Sequence, residues 1–439
     1  MRRVSRITLA VAAFALMVRV AYILVAFLLL GKDAPGGPPH DGYLEIAQNL
    51  LAGRGYTLLG EPNFFRPPTY VVFLLPFAAF PRAEWTIVFA QAILGAATCG
   101  LVTRMTASLV STRYAVAAGL ALALCPWHVH FAANGMVQVL AGLLVTLFTM
   151  SWVASRASQG VPSSAACGAL YGASGMCHPA GALIGPAWVV DHVLRTLRRG
   201  RHRDGVLGLL AFSAAFAVIV APWVVRNRLA SGTWILFSNA GGFQYAVGTS
   251  LVERSKGPLS LPNGGVYPAL DDVQGELRAA GFTESQTLGT YKGVAPLEAA
   301  FLRRWTVNHF LRNLTSLPRR LVQHGWWFWF GDSIVSPWWH LLYKVPLLVL
   351  AAIGVWSGLR RSVHCVEADA LQRHLSPIAS GQPSGSSPPR QGAIVPLAIV
   401  ILVFWLTHAT IAAFIPHAAY CLTVLPPLCV LAAVGAATE

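Results

Sequence analysis

Apolar segments long enough to cross a membrane recur from one end of the 439-residue chain to the other. A helix needs only about 20 predominantly apolar residues to span a bilayer. Hydrophobic residues make up 55% of the chain and charged residues only 11%, whereas soluble domains carry about 25% charged residues. These values exclude a soluble globular enzyme, and they predict an all-α, polytopic membrane protein.

Ten spans fit the apolar pattern best, and charge decides the one ambiguous region, residues 163–194. That region corresponds to about 48 Å of helix, which is long for one crossing and short for two. Two crossings place the arginines of 195–203 on the same side as the other arginine-rich loops, as expected for the cytoplasmic face. The predicted spans are 7–30, 84–110, 114–127, 135–154, 163–177, 179–194, 205–225, 338–359, 393–415 and 417–437.

Three segments lie outside the predicted spans of this single membrane domain, residues 1–439. Residues 31–83 form a first extracytoplasmic loop, 226–337 a large second extracytoplasmic segment, and 360–392 a cytoplasmic linker rich in Ser, Gly and Pro. The net charge of +15 comes with arginines clustered between apolar runs, so we attribute it to the cytoplasmic face and predict no nucleic acid partner. The excess of Arg over Lys is typical of GC-rich bacteria, which predicts the bacterial inner membrane. The aromatic run 326–330 predicts the outer membrane boundary before the eighth span.

The first loop carries the most informative motif, which begins at Asp41. Apolar residues at helical spacing follow as far as Leu51, which predicts a short amphipathic helix on the membrane surface that ends at Gly53 or Gly55. Asp41 is then either the N-cap of this helix or a carboxylate held at the outer surface, with Glu45 one turn away. The spacing alone leaves both interpretations open.

Arginines on the predicted outer side form the second group of candidates. Arg66 precedes two prolines, and Arg226 and Arg228 follow the seventh predicted span. A guanidinium suits a phosphate because it offers paired hydrogen-bond donors. Anchoring to lipid headgroups is the alternative for each of these arginines. Arg19 lies inside the first span, where a charged residue is a functional candidate.

Together these segments resemble the C-type superfamily of membrane glycosyltransferases, in particular bacterial relatives of the dolichyl-phosphate-mannose protein mannosyltransferases and the lipid A aminoarabinose transferases. The likeness lies in three motifs in the same order: Asp-Gly-Tyr to Gly-Arg-Gly-Tyr over 41–56, Arg-Pro-Pro-Thr-Tyr over 66–70, and Pro-Trp-Val-Val-Arg-Asn over 222–227 with the turn at 239–242. Gln138, His178 and Ala419 depart from the family pattern, which often has Glu at the first of these positions and Arg at the other two.

The resemblance implies a ten-helix bundle with an extracytoplasmic cap of amphipathic helices. It also implies an enzyme that moves a hexose or pentose, with inversion, from a polyprenyl-phosphate donor to an acceptor on the extracytoplasmic side. The acceptor is a glycolipid, a protein or a polysaccharide. Asp41 is the implied catalytic base, and Arg66, Arg226 and Arg228 are the implied ligands of the donor phosphate. The secondary candidates are Glu45, His40, Gln138, His178, Tyr70 and Asn239.

No cofactor and no metal enter this prediction, because phosphate is a good leaving group and one carboxylate can accept the acceptor's proton. His128 and His130 could join His40 and Asp41 around a divalent metal only if their segment is not helical, since helical residues two apart point in different directions. The alternative function is a non-catalytic protein that binds or transports a lipid-linked glycan. The departures at Gln138, His178 and Ala419 favour that alternative.

Overall fold

The computed structural model describes residues 2–28, 42–158, 160–254, 267–282, 296–330, 340–357, 394–402 and 423–437. Three residues singled out by the sequence, His40, Asp41 and Ala419, lie outside these ranges, as does the predicted linker 360–392. The predicted function therefore has to be judged from the residues around Asp41 rather than from Asp41 itself.

The described chain is almost entirely helical. A two-stranded antiparallel hairpin, β1 (Thr57–Leu58) and β2 (Glu61–Pro62), lies between the second and third helices. The helices are α1 (Arg2–Leu28), α2 (Tyr43–Leu51), α3 (Pro68–Ala78), α4 (Ala83–Leu109), α5 (Thr112–Ala123), α6 (Pro126–Ala133), α7 (Val137–Ser158), α8 (Val161–Gly175), α9 (Ile184–Arg199), α10 (His202–Ser231), α11 (Gly241–Arg254), α12 (Tyr267–Ala279), α13 (Pro296–Arg312), α14 (Leu317–Phe330), α15 (345–357, after a π-helical turn His340–Lys344), α16 (394–402) and α17 (Leu425–Ala436).

Four of these helices, α1, α4, α7 and α10, are long and apolar enough to cross a membrane. The pair α5 and α6, bent by 48° at a short break, is a fifth candidate span, and α3, α17 and the helix Leu342–Ser357 are apolar but shorter. The chain is therefore an integral membrane protein. The prediction of a ten-helix bundle is not confirmed, because the described residues form 17 helices, many of them shorter than a membrane span.

Residues 163–194 do not form the two straight membrane-spanning helices that the sequence predicted. Helix α8 has only 15 residues, and a 3-10 turn (Pro179–Leu183) separates it from α9. Helix α9 buries Trp188 and His192 on one face, exposes Leu194 and Leu197, and ends in two arginines. Such a helix suits the membrane surface better than the bilayer interior. Proline at 179 ends the preceding helical run because it lacks the backbone donor that a continuous helix needs.

The bundle core is formed mainly by α1, α4, α5, α7, α8, α10 and α17. Helices α8 and α10 touch backbone to backbone at Gly168, where an added Cβ would lie 2.0 Å from the carbonyl oxygen of Phe212. Small residues at such crossings are typical of membrane helices, whose association depends on close packing rather than on hydrophobic burial.

Arg19 is completely buried in α1 at the break between α5 and α6. Its guanidinium donates to the carbonyl oxygens of Ala15 (2.8 Å) and Ala123 (3.5 Å) and to Nδ1 of His128 (2.7 Å). Ala123 is the last residue of α5, whose terminal carbonyls lose their helical partners at the break. A positive charge is favourable at a helix C-terminus, so Arg19 stabilises the kink.

Helices α11, α12 and α13 pack around a second hydrophobic core, and we call α11–α14 the cap. Phe65 of the first loop belongs to the same core, so the cap is joined to that loop. In the cap, Arg254 donates to Asp272 (2.7 Å), and this hydrogen bond holds the pKa of the Asp272 carboxyl below its usual value. The buried guanidinium of Arg320 donates to Tyr245 and Thr249 and ties α14 to α11.

Gly95→Ala is expected to destabilise the bundle. A Cβ at this position lies 2.6 Å from Nε of Arg19 and 3.2 Å from Cε1 of His128, and overpacking of this kind costs about 1–3 kcal/mol. The variant in detergent should unfold at a lower temperature than the wild type. Gly275→Ala is the matched control, because its added Cβ meets no atom within 4 Å and alanine favours helices. Equal unfolding temperatures for Gly95→Ala and the wild type would contradict the tight packing around Arg19.

Candidate functional site of the three motifs

The three motifs recognised in the sequence meet near the C-terminal end of α10. Arg226 donates from Nη1 to the carbonyl oxygen of Asn63 (2.8 Å) and from Nη2 to that of Tyr56 (3.0 Å). Its guanidinium also lies 4.7–5.2 Å from the ring centres of Tyr56, Phe64 and Trp223. One side chain therefore joins the mid-chain motif to both ends of the first-loop hairpin.

Helix α2 begins at Tyr43, one residue later than an Asp41 N-cap would require. Its N-cap residue is Gly42, with φ of 72°. Asp41 itself lies outside the described residues, so its alternative role as a helix cap stays a prediction. An L-residue at Gly42 is strained by this φ, and its Cβ would lie 2.7 Å from Leu58. Glycine is thus required immediately after the candidate base.

Polar residues of the first motif shape the loop rather than face a ligand. Asn49 donates to the carbonyl oxygen of Thr57 (2.9 Å) and accepts from Nη2 of Arg54 (2.7 Å). The carboxylate of Glu45 accepts the backbone N–H of Leu59 (2.8 Å) in the hairpin turn. Leu59 has φ of 53°, which is unusual for a non-glycine residue and makes this hydrogen bond important for the turn. Glu45, a secondary candidate, thus has a structural partner.

Arg66 lies beside the start of α2. Its guanidinium carbon is 5.2 Å from the ring centre of Tyr43 and 5.0 Å from that of Phe65, and its side chain is half-buried. The backbone of Arg66 is fixed at both ends, because its N–H donates to Oδ1 of Asn63 (2.8 Å) and its carbonyl oxygen accepts from Tyr56 (2.8 Å). Burial raises the pKa of Tyr56 well above its usual value, which keeps this hydroxyl protonated as a donor. Arg66 therefore lies beside Tyr43, the third residue of the first motif.

Tyr70 connects the site to the membrane helices. Its hydroxyl donates to the carbonyl oxygen of Gly135 and accepts from Nε2 of Gln91 (2.5 Å). Its ring meets that of Tyr43 edge to face at 5.1 Å. Gln138, at the start of α7, is also buried, and its Oε1 has no hydrogen-bond partner among the described residues. Tyr70, a secondary candidate, therefore links α3 to α4 and to the turn before α7.

Backbone hydrogen bonds attach the two remaining candidates to the same region. The N–H of Asn239 donates to the carbonyl oxygen of Phe64 (3.2 Å), which places the mid-chain turn against the first loop. The N–H of Thr69 donates to the carbonyl oxygen of Met176 (3.1 Å), two residues before His178. His178 precedes the 3-10 turn as its N-cap residue.

Arg228 does not join Arg66 and Arg226. It is exposed, and its guanidinium carbon lies 5.5 Å from the ring centre of Trp234, which is itself 68% exposed. The structure thus brings two of the three predicted phosphate ligands to the first loop and places the third on a different face of α10.

The two histidines considered for a metal lie in a helix, α6, and have separate partners. Nδ1 of His128 accepts from Arg19, whereas His130 makes hydrogen bonds with Tyr22 (2.8 Å) and Asn134 (2.6 Å). Their divergence is the one expected for helical residues two apart. Within the described ranges no cluster of three His, Cys, Asp or Glu residues could hold a metal ion.

Sequence reasoning missed several residues that build the site. Asn63 accepts the N–H groups of Phe65 and Arg66, and Gln91 donates to Tyr70 from the middle of an apolar helix. Asn63 precedes two aromatic residues, and Gln91 interrupts a long apolar helix, so both were visible as polar residues in unusual places. Neither signal identifies the hydrogen-bond partner of the residue. Tyr70, the partner of Gln91, lies 21 positions away in the sequence.

The fold of the described chain is similar to that of an archaeal oligosaccharyltransferase. The oligosaccharyltransferase of Archaeoglobus fulgidus in the apo form overlays on 97% of this chain and 50% of its own, with a TM-score of 0.52 and 15% sequence identity. The structure of the same protein, AglB, in complex with an inhibitory peptide and a dolichol-phosphate gives the same coverage and identity and a TM-score of 0.53. This chain has the C-type glycosyltransferase fold.

The C-type fold confirms the resemblance inferred from the three motifs. The chain spans about half the length of the archaeal enzyme that it matches. ArnT from Cupriavidus metallidurans in the apo state overlays on 94% of this chain and 78% of its own, with 15% identity and a TM-score of 0.38. No protein-family model and no curated protein sequence matches the chain.

Arg226→Gln is expected to loosen the first loop, because it removes the donors to the carbonyl oxygens of Tyr56 and Asn63. A hydrogen bond to a charged group contributes roughly 1.5–3 kcal/mol, so thermal unfolding in detergent should occur at a clearly lower temperature. Limited proteolysis should cut the 42–66 region sooner. Arg228→Gln removes the same charge from an exposed position and is the control. Equal unfolding temperatures for the two variants would refute the structural role of Arg226.

Proposed function

We propose that the chain is an inverting glycosyltransferase that moves a sugar from a polyprenyl-phosphate donor to an acceptor on the extracytoplasmic side of a bacterial inner membrane. The observation that carries this proposal is the convergence of the three motifs around Arg226, next to Arg66, on a C-type glycosyltransferase fold. AglB was solved with a dolichol-phosphate, a lipid of the same chemical class. The donor, the sugar transfer and the side on which it takes place are all proposed by analogy with that fold.

Arg66 is the donor-phosphate ligand that we favour. Its aromatic neighbours Tyr43 and Phe65 shield the guanidinium from water, which strengthens its attraction for an anion. Arg226 already donates to two carbonyl oxygens, so its main part is to hold the loop. In this proposal Arg228 serves as an interfacial anchor through its contact with Trp234.

Asp41 is the base that we propose for the transfer step. The acceptor hydroxyl attacks the anomeric carbon, its proton passes to the Asp41 carboxylate, and the bond from that carbon to the phosphate oxygen breaks. The departing phosphate keeps the electron pair, and Arg66 stabilises its charge. A general acid for the leaving group is unnecessary because phosphate leaves readily, and a single attack from the opposite side inverts the anomeric configuration.

The proposal predicts that Asp41→Asn abolishes turnover but keeps donor binding. A positioned base supplies roughly a 10²–10⁴-fold rate gain, and turnover should fall by about this factor. The assay uses the full chain in proteoliposomes with radiolabelled polyprenyl-phosphate sugars and glycolipid, peptide and polysaccharide acceptors. Glu61→Gln, which neutralises an exposed acid in the same loop, is the control and should retain activity.

Arg66→Ala should weaken donor binding instead. Loss of one charge-assisted contact, roughly 1.5–3 kcal/mol, corresponds to about a 10- to 100-fold weaker affinity for polyprenyl phosphate. Arg278→Ala, which removes an exposed arginine of the cap, is the control. Donor binding by the wild type without turnover on any acceptor would favour the alternative, a lipid-linked glycan binding or transport protein. Absence of donor binding by the wild type would refute both.

A further inference from the structure

The exposed face of α13 combines apolar and cationic side chains, whereas a helix that faces only water has no need of exposed apolar residues. Leu297, Arg304 and Leu311 lie at seven-residue intervals, so they form one line along the helix. Leu297 is 75% exposed and Leu311 is 61% exposed. Val307 lies beside this line and is also exposed. On the opposite side of α13, Leu302 is buried against α11.

Arginines flank this apolar line on both sides. Arg303 and Arg312 each lie about a quarter turn from the line, one on either side of it, by helical geometry, and both are exposed. Beyond the helix, Leu314 and, in α14, Val322 are exposed apolar residues as well. We call this surface the α13 face; it consists of Leu297, Arg303, Arg304, Val307, Leu311, Arg312, Leu314 and Val322.

Among the described residues, the three arginines of the α13 face have no carboxylate partner. In the described part of the chain, Arg303, Arg304 and Arg312 form no ion pair, whereas Arg254 of α11 pairs with Asp272 of α12. The only acidic residue between positions 296 and 330 is Glu298, which is completely buried. The described acidic side chains of the cap are otherwise Glu253 at the end of α11 and Asp271, Asp272 and Glu276 on α12.

Arginine on the extracytoplasmic side runs against the usual charge bias of membrane proteins. Aliphatic side chains flanked by arginines suit the surface of a bilayer, where the aliphatic groups enter the acyl region and the guanidinium groups reach phosphates. The bilayer is also close along the chain, because α14 ends in the aromatic run 326–330 that predicts the outer membrane boundary. We propose that the α13 face docks the cap on the outer leaflet by binding anionic phospholipid headgroups. This inference goes beyond the proposed glycosyl transfer and does not depend on it.

The test measures water access to the α13 face in lipid nanodiscs. The full chain carrying Leu311→Cys is labelled with an environment-sensitive fluorophore, and its quenching by a water-soluble reagent is compared with that of Ala279→Cys on α12. The wild type treated with the same label gives the background. We expect the label at 311 to be shielded several-fold more than the label at 279, and to be shielded most in discs that contain phosphatidylglycerol as well as phosphatidylcholine.

The arginines are tested in the same labelled protein. Combining Arg303→Gln, Arg304→Gln and Arg312→Gln should remove the added shielding due to phosphatidylglycerol, whereas Arg278→Gln on α12 should not. High salt offers a test without these substitutions, because screening weakens surface electrostatic contacts at 1 M ionic strength, and it should remove the same increment.

Three results would overturn the proposal. Equal quenching at 311 and 279 in both kinds of disc would show that the face meets water. Shielding that is the same with and without phosphatidylglycerol would exclude recognition of anionic headgroups. Equal shielding in detergent and in discs would show that protein, such as a second copy of the chain, covers the face.

Discussion

The site where the three motifs meet depends on the two hydrogen bonds from the Arg226 guanidinium to the first loop. Tyr56 and Asn63 immediately precede and follow the hairpin, so their carbonyl oxygens mark the two ends of one small unit. Backbone groups within an irregular loop need partners, and a guanidinium supplies several donors in fixed directions. Because Arg226 projects from a rigid helix, it fixes the loop relative to the bundle. Arg66 lies three positions after Asn63, and its backbone N–H donates to the Asn63 side chain, so the position of Arg66 depends on this arrangement.

A similar use of arginine occurs within the membrane. Arg19 meets the end of α5, where the helix breaks before Pro126 and terminal carbonyls lose their partners. A broken helix is tolerated inside a bilayer only where other groups satisfy its backbone. In both places a guanidinium stabilises irregular backbone, which is a structural task. Positive charge on the outer side or inside a span is therefore weak evidence for a phosphate ligand until its contacts are known.

Particular residues show how far the sequence could be used. The apolar spacing after Asp41 correctly predicted the short helix α2, and the three motifs correctly predicted the C-type fold. Arg226 and Arg228 looked equivalent because both follow an apolar run. Helix α10 continues to Ser231, and residues two apart on a helix point in nearly opposite directions. One therefore faces the first loop and the other faces Trp234. The ten-span prediction was not confirmed because hydropathy measures apolar length and does not detect bends or helices along the membrane surface.

The sequence by itself determined that the chain is a helical membrane protein and which segments carry its polar motifs. Both properties depend on local composition, because a membrane span needs a minimum apolar length and positive charge concentrates on one side of the membrane. Only the tertiary structure decided which arginine reaches Tyr56, that Tyr70 reaches Gly135 across the bundle, and that α13 leaves an apolar and cationic face exposed. These facts follow from the packing of helices distant in sequence, and composition does not encode which side chains such packing will bring within hydrogen-bonding distance.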